Sequence, residues 1–327
     1  MPQITGLGGA LVDCFADVSE EQLHALGSPK ASMALIDADE AAALEAALDF
    51  HTRRAGGAAA NTVAGMAGLG FEAAFIGKTG DDETGRFFRD DMRRVKVAFP
   101  TPPLAAHPTG RCLVAITPDA ERTMHTLLGA SGTIEADDLD MDLLRRTDLF
   151  FAEGYIWDNA PARAAFMQAV EAVHGRGGEV GFTLGDALCV ARHRADFRAL
   201  LDGLVDVLLA NLAEAAALFG TDDMNELVAA VQAVGVDAVI TRSENGAVII
   251  AGGEVVEVAA EPVGRLVDLT GAGDQFAAGY LAGRVRKATA AEAGRMGALA
   301  AAEVIAHVGP RPQSDVQAVL AANGFVF

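Results

Sequence analysis

The run Thr270-Gly271-Ala272-Gly273-Asp274 is the stretch of this 327-residue chain best equipped for chemistry. Three small residues precede an acidic one, and Gln275-Phe276-Ala277-Ala278-Gly279-Tyr280-Leu281 follow with helical spacing. The small residues therefore fall on a turn that opens a helix, where unpaired N–H groups and the positive end of the dipole suit a phosphate. Glycine and alanine also let an anion come close to the backbone. A carboxylate would repel a phosphate that was simply bound there. Asp274 makes sense if it takes a proton from a hydroxyl that attacks the phosphate. A plain helix start, with Asp274 as a first-turn dipole partner, satisfies the same residues. The stretch alone leaves both readings open.

Other polar points raise the same choice. Asn211-Leu212-Ala213-Glu214 follows an apolar strand pattern, and its Asn and Glu lie on one face of a helix start. Asn211 suits a phosphate and Glu214 suits water around Mg²⁺, yet the pair is also an ordinary capping box. Thr241-Arg242-Ser243-Glu244-Asn245-Gly246 is a polar loop between two strand patterns, able to hold nucleotide phosphates or simply to close a hairpin. Asn61 is the one side-chain amide, with both donor and acceptor capacity, in a small-residue helix that begins after Gly56-Gly57. Asp13 follows a first strand read over Ile4 to Val12, where open α/β sheets place ligand contacts. That strand carries Gly6-Leu7-Gly8-Gly9-Ala10-Leu11, a poor dinucleotide fingerprint, because Leu11 holds the third glycine position and no helix pattern opens there.

The elements that must position these residues follow a strand–helix rhythm. Strands are predicted at 75–77, 149–153, 179–184, 205–210 and 238–241, with a hairpin at 247–250 and 255–258 after them. Helices are predicted at 37–49, 83–94, 160–174, 195–201, 212–219, 225–234, 290–307 and 314–322. Such alternation predicts a mostly parallel, doubly wound sheet covered on both faces. Two strands around the turn Pro118-Asp119-Ala120-Glu121, over 111–117 and 122–128, break the rhythm and form the candidate lid. Neither a repeat nor a domain break is visible, so one domain over 1–327 is expected.

Bulk composition narrows the partners. The chain is 51% hydrophobic and 21% charged, which is globular, and its formal net charge is −20, which argues against nucleic acid and anionic membranes. Three scattered cysteines, Cys14, Cys112 and Cys189, give no disulfide framework, so a reducing, cytoplasmic setting is expected. Met1-Pro2-Gln3 leads straight into a strand pattern without a basic leader, and no apolar run is long enough to span a bilayer.

Taken together these residues resemble the ribokinase or PfkB carbohydrate kinase family, and within it the adenosine kinase-like branch, over nearly the whole chain. Two signature regions stand at 56–70 and 268–281, and Glu121-Arg122-Thr123-Met124, Glu153-Gly154-Tyr155-Ile156-Trp157 and 188–194 look like adenosine kinase-like segments. The resemblance implies a ribokinase-like three-layer α/β fold with a small β lid drawn from about 12–36 and 98–128. It implies ATP-dependent phosphorylation of a primary hydroxyl on a nucleoside or sugar, an adenosine-like nucleoside being favoured over ribose, fructose or a keto-deoxy sugar acid. Asp274 is then the general base, and the amides of Gly271, Ala272 and Gly273, with that of Asp274, form the anion hole. Asp13, Gly56, Gly57, Asn61 and Glu153 would hold the acceptor; Asn211, Thr241, Ser243, Gly246 and Gly273 would hold ATP. Glu214 would serve Mg²⁺, and Asp268 and Thr270, with carbonyls near Gly309, a monovalent cation such as K⁺. Leu212 stands where many members carry another Glu, and Ala59 replaces a glycine of ribokinases. An exposed lid sheet would allow a homodimer. The rival of another class is a non-catalytic sugar or nucleoside sensor on the same scaffold.

Overall fold

A computed structural model describes residues 3–30, 32–119 and 121–325. Met1-Pro2 and Ala120 of the predicted 118–121 turn lie outside the described residues, as does Ala31 within the predicted lid range. The strands, in chain order, are β1 (Gln3–Leu7), β2 (Leu11–Asp17), β3 (Met33–Leu35), β4 (Thr52–Gly56), β5 (Glu72–Ile76), β6 (Val97–Ala98), β7 (Gly110–Ile116), β8 (Arg122–Leu127), β9 (Leu149–Glu153), β10 (Glu179–Thr183), β11 (Val207–Asn211), β12 (Asp237–Thr241), β13 (Ala247–Ala251) and β14 (Glu254–Val258). Among the described residues they form a nine-stranded sheet, ordered β14-β13-β12-β11-β10-β9-β1-β5-β6, and a five-stranded sheet, ordered β3-β8-β7-β2-β4.

The large sheet is parallel from β6 to β12, and β13 and β14 add an antiparallel edge. Apart from the exposed edge strand β14, its strands are largely apolar on both faces, and the period of two sorts each of them between two cores. Leu149, Phe151, Val207, Leu209, Val239 and Ile249 face one core, shared with the helices Ala58–Gly68, Ala272–Val285 and Ala290–Val304. Phe150, Leu208, Ala210, Ile240 and Ile250 face the other, with the helices Ala160–His174, Ala187–Leu200 and Leu212–Phe219. The result is the three-layer arrangement expected from the alternation. Register brings Glu153 level with Thr183 and Asn211 level with Thr241, so the carboxyl ends of four strands share one rim.

Several expectations need correction. The single strand read over 4–12 is two strands in different sheets, broken at Gly8-Gly9-Ala10. The break is made by contact: the Gly9 N–H donates to the Glu153 carboxylate at 2.8 Å, and a Cβ on Gly8 would lie 2.6 Å from that carboxylate. Asp13 therefore sits within β2 of the small sheet rather than at the end of a core strand. No helix follows the Gly6–Leu11 fragment, which removes the dinucleotide reading. The small sheet also takes in β4, which the exposed Arg53 and Arg54 disguised, while β6 at 97–98 pairs with β5 in the large sheet and not in the small one. The helix predicted at 195–201 begins at Ala187 and kinks at His193.

Candidate active site

The Ala272–Val285 helix starts at Gly271, whose φ of 79° is left-handed and whose missing Cβ leaves room for Pro310, 2.5 Å from where that atom would stand. Gly273 on the first turn is exposed, with open space where its Cβ would be. The turn thus offers backbone amides to solvent, as a phosphate site requires. Asp274 follows with its carboxylate held by the Asn61 side-chain amide, which donates to Oδ2 at 2.9 Å. Thr62 Oγ1 donates to the Asp274 carbonyl at 3.2 Å, and Gln275 Nε2 donates to the Asn61 carbonyl at 3.0 Å. Two helix starts, Ala58–Gly68 and Ala272–Val285, are in this way fixed against each other.

Asp274 lines two cavities at once. The larger, about 750 Å³, lies between the two sheets and contains Asp13, Gly57, Asn61 and Glu153. Apart from Asp13 and Thr126 its small-sheet wall is apolar, with Leu11, Met33, Leu35 and Met124, and Leu128, Tyr155 and Leu188 stand among its other lining residues. The smaller, about 150 Å³, is bounded by Asn211, Glu214, Thr241 and Gly273 at the rim of the large sheet. Burial pushes the Asp274 carboxyl up to about 7; the Asn61 hydrogen bond and Arg311 oppose this, while Glu153 and Asp13 add to it. Asp13 is likewise pushed up to about 7 by burial, against the pull of Arg311 and Arg122. A carboxyl poised near neutrality can hold or release a proton under ordinary conditions.

The remaining predicted residues divide. Glu153 is buried, and its oxygens accept from the Gly9 and Ala59 amides at 2.8 and 2.7 Å, clamping the strand crossover to the helix start at Gly57. Gly56 packs on Asp13, whose carboxylate stands 2.5 Å from where a Cβ would be. Asn211 and Glu214 form a reciprocal capping box: Glu214 N–H donates to Asn211 Oδ1 at 2.9 Å, and Asn211 gives its backbone and side-chain N–H to the Glu214 carboxylate at 3.0 and 2.7 Å. Burial pushes Glu214 up to about 7. Ser243 and Gly246 line neither cavity; Gly246 closes the β12–β13 turn, where a Cβ would meet the Val258 carbonyl at 2.0 Å.

Asp268 and Thr270 are brought together, but around a guanidinium. Asp268 Oδ1 accepts from the Thr270 amide at 2.8 Å, Oδ2 accepts from the Gly309 amide at 2.9 Å, and Arg122 of β8 donates both to Asp268 and to the Thr270 hydroxyl. Burial alone would raise Asp268, yet these donors hold it below the ordinary carboxylate range. Of the two arginines that reach the site, sequence reasoning named Arg122 only within a family-like segment, without its contact to Asp268 and Thr270, and missed Arg311. The second has a visible signal: a cation wedged between Pro310 and Pro312 after Gly309.

Comparison with known proteins meets this geometry. Residues 30–316 match the pfkB family carbohydrate kinase. A solved adenosine kinase from Sinorhizobium meliloti is 38% identical, with a TM-score of 0.92 and 99% of each chain covered. A probable sugar kinase protein from Rhizobium etli CFN 42 is 37% identical, with a TM-score of 0.93 and 98% of each chain covered. A fructokinase of Klebsiella pneumoniae is 31% identical over 234 residues, 70% of this chain and 76% of its own. No helix among the described residues is long and apolar enough to cross a membrane. The chain belongs to the pfkB carbohydrate kinase family, whose members are phosphotransferases that act on hydroxyl groups with ATP as phosphate donor.

Proposed function

We propose that this kinase phosphorylates the primary hydroxyl of a nucleoside, with an adenosine-like molecule as its preferred acceptor and Asp274 as its general base. The observation that carries this reading is the position of Asp274 at the junction of the two cavities, beside the exposed amides that open its helix. The acceptor lies in the larger cavity, its hydroxyls toward Asp13, Gly57 and Asn61 and its CH₂OH at Asp274. The phosphate donor lies along the strand rim at Asn211 and Thr241, reaching the amides of Ala272 and Gly273. Positioning and charge stabilisation then supply most of the acceleration. The apolar wall of Leu11, Met33, Leu35 and Met124 suits the flat face of a base better than a free sugar, nearly all of whose carbons carry a polar group. The small sheet forms that wall, and we read it as the lid that excludes water during transfer.

Glu214 fits a hydrated Mg²⁺: each of its oxygens accepts one hydrogen bond from Asn211, keeps further acceptor capacity, and borders the same cavity as Asp274. The metal would shield the charge of the donor phosphates. A K⁺ ion does not fit beside Asp268 and Thr270 while Arg122 is there, because that guanidinium already takes both side chains.

A coupled ADP-release assay across adenosine, other nucleosides, fructose, ribose and 2-keto-3-deoxygluconate tests the reading. Turnover with adenosine well above that with the free sugars is expected. The 31% identical fructokinase keeps fructose as the second reading, and turnover confined to fructose would establish it. Binding of adenosine without any ADP release would instead favour the sensor.

A further inference from the structure

Arg311 lies outside every role assigned above, yet it is nine-tenths buried a short distance behind the site. Its Nε donates to Asn61 Oδ1 at 3.2 Å, one terminal nitrogen is paired with the Asp91 carboxylate of the Glu83–Arg94 helix, and the other is buried with no hydrogen-bond partner among the described residues. We propose that Arg311 is a positioning residue for the Asp274 carboxylate, acting through the Asn61 amide; this rests on the reading of Asp274 as the base.

The argument is one of donors and acceptors. The Asn61 amide has two ends of opposite character. In the observed orientation its oxygen meets the Arg311 N–H and its NH₂ meets Asp274 Oδ2. Turned by half a rotation, its oxygen would face a carboxylate and its NH₂ would face a guanidinium, acceptor against acceptor and donor against donor. Arg311 therefore excludes the wrong rotamer and keeps an N–H on Asp274 Oδ2. The Asn61 backbone leaves little else free, since its carbonyl is held by Gln275.

The chain delivers Arg311 deliberately to this spot. Gly309 donates to Asp268, the Pro310 carbonyl accepts from Gln275 at 3.1 Å, and Arg311 reaches Asn61, so three consecutive residues dock on three parts of the site. Proline on either side fixes φ and limits the loop's freedom. Stability does not explain the choice of residue. A buried guanidinium with an unpaired nitrogen is costlier than an apolar side chain of similar volume.

Charge gives the readout. The groups facing Asp274 are Asn61 on its helix, Glu153 at the end of β9, Asp13 on β2, Glu214 across the smaller cavity, and Arg311 on the C-terminal loop. Arg311 is the cation of that set, and Asp91 behind it tempers its field. Removing the arginine charge should raise the pH needed to ionise Asp274; removing the aspartate charge should lower it.

The test is the pH dependence of kcat in the full-length enzyme, with saturating MgATP and adenosine, or fructose should the assay panel select it. Arg311→Gln should move the acid limb up by about one pH unit, lowering kcat about 10-fold at pH 6 while KM for ATP stays within about twofold. Asp91→Asn should move the same limb down. Arg311→Lys, which keeps the charge but not the planar grip, should leave the limb near its wild-type position with a lower plateau. Limbs that do not move, or that move the same way in Gln and Asn variants, overturn the proposal. If Arg311→Gln does not fold, Asp91→Asn decides alone: an unmoved or raised limb overturns it. Asp274→Ala belongs in the same series. Wild-type turnover there would overturn the base reading and this proposal together, whereas an inactive Asp274→Ala with unmoved limbs would overturn only this one.

Discussion

At the scale of single residues, Asp274 is asked to do something that burial opposes. Its carboxyl sits at about 7 in the fold against an ordinary value of 3.8, chiefly because of burial. Between about pH 4 and 7 the folded protein keeps a proton that the unfolded chain has released, so stability falls as pH rises through that window and stays lowered above it. Asp274→Asn removes this term. The Asn variant should match wild type at pH 4 and exceed it at pH 8 by about 1–2 kcal/mol, a figure kept small because the side chain opens on a cavity. Thermal unfolding at the two pH values measures it, and an Asn variant less stable than wild type at pH 8 would contradict the burial argument. Activity should go the other way: Asp274→Ala loses a factor of about 10²–10⁴ in kcat, the usual worth of a general base. Glu214→Gln removes the charge and keeps only one of the two acceptors that Asn211 uses, so it should raise the Mg²⁺ concentration giving half-maximal rate. An unchanged titration would remove Glu214 from the metal.

At the scale of elements, the site depends on two backbones meeting at Gly9 and Gly57. Gly57 begins the Ala58–Gly68 helix with φ of 91°, and a Cβ there would stand 2.1 Å from the Gly9 carbonyl oxygen. Gly57→Ala must therefore push the helix start away from the strand crossover, taking Asn61 with it. A loss of about 2–4 kcal/mol in denaturant unfolding is expected, with turnover falling alongside; a variant of wild-type stability would mean the contact relaxes freely. This junction also marks where the sequence became illegible. The central strands of the large sheet, at 149–153, 179–183 and 207–211, were readable because both faces are apolar, and helices such as 83–94, 160–174 and 212–219 because their caps and periodicity agree. The crossover at Gly8-Gly9 was not, since an apolar run continues across it and only Glu153, 144 residues away, breaks it. Strand β4 hid behind Arg53 and Arg54, which face solvent on a sheet edge. Arg122 and Arg311 reach the site across 146 and 250 residues, distances over which no local pattern speaks.

At the scale of the whole molecule, the formal charge of −20 works against a polyanionic donor. Asp13, Glu153, Glu214 and Asp274 add their own charge beside the cavities. The amides that open the Ala272–Val285 helix can hold a phosphate once it arrives, but they do not reverse the field it crosses on approach. Screening should therefore help. Raising ionic strength from about 0.01 to 0.1 M shortens the Debye length from about 30 to 10 Å, so kcat/KM for MgATP should rise by about two- to fivefold at fixed free Mg²⁺. A basic donor groove would give the opposite slope. The identity of the salt separates this effect from a bound monovalent ion. Because Arg122 already occupies the Asp268–Thr270 pair, potassium chloride and tetramethylammonium chloride should give the same curve. Activation by potassium alone would mean that Arg122 withdraws when substrates bind and that the cation site forms only in the closed enzyme. A fall in kcat/KM with both salts would mean that the local field of the helix start, rather than the net charge, governs capture of the nucleotide.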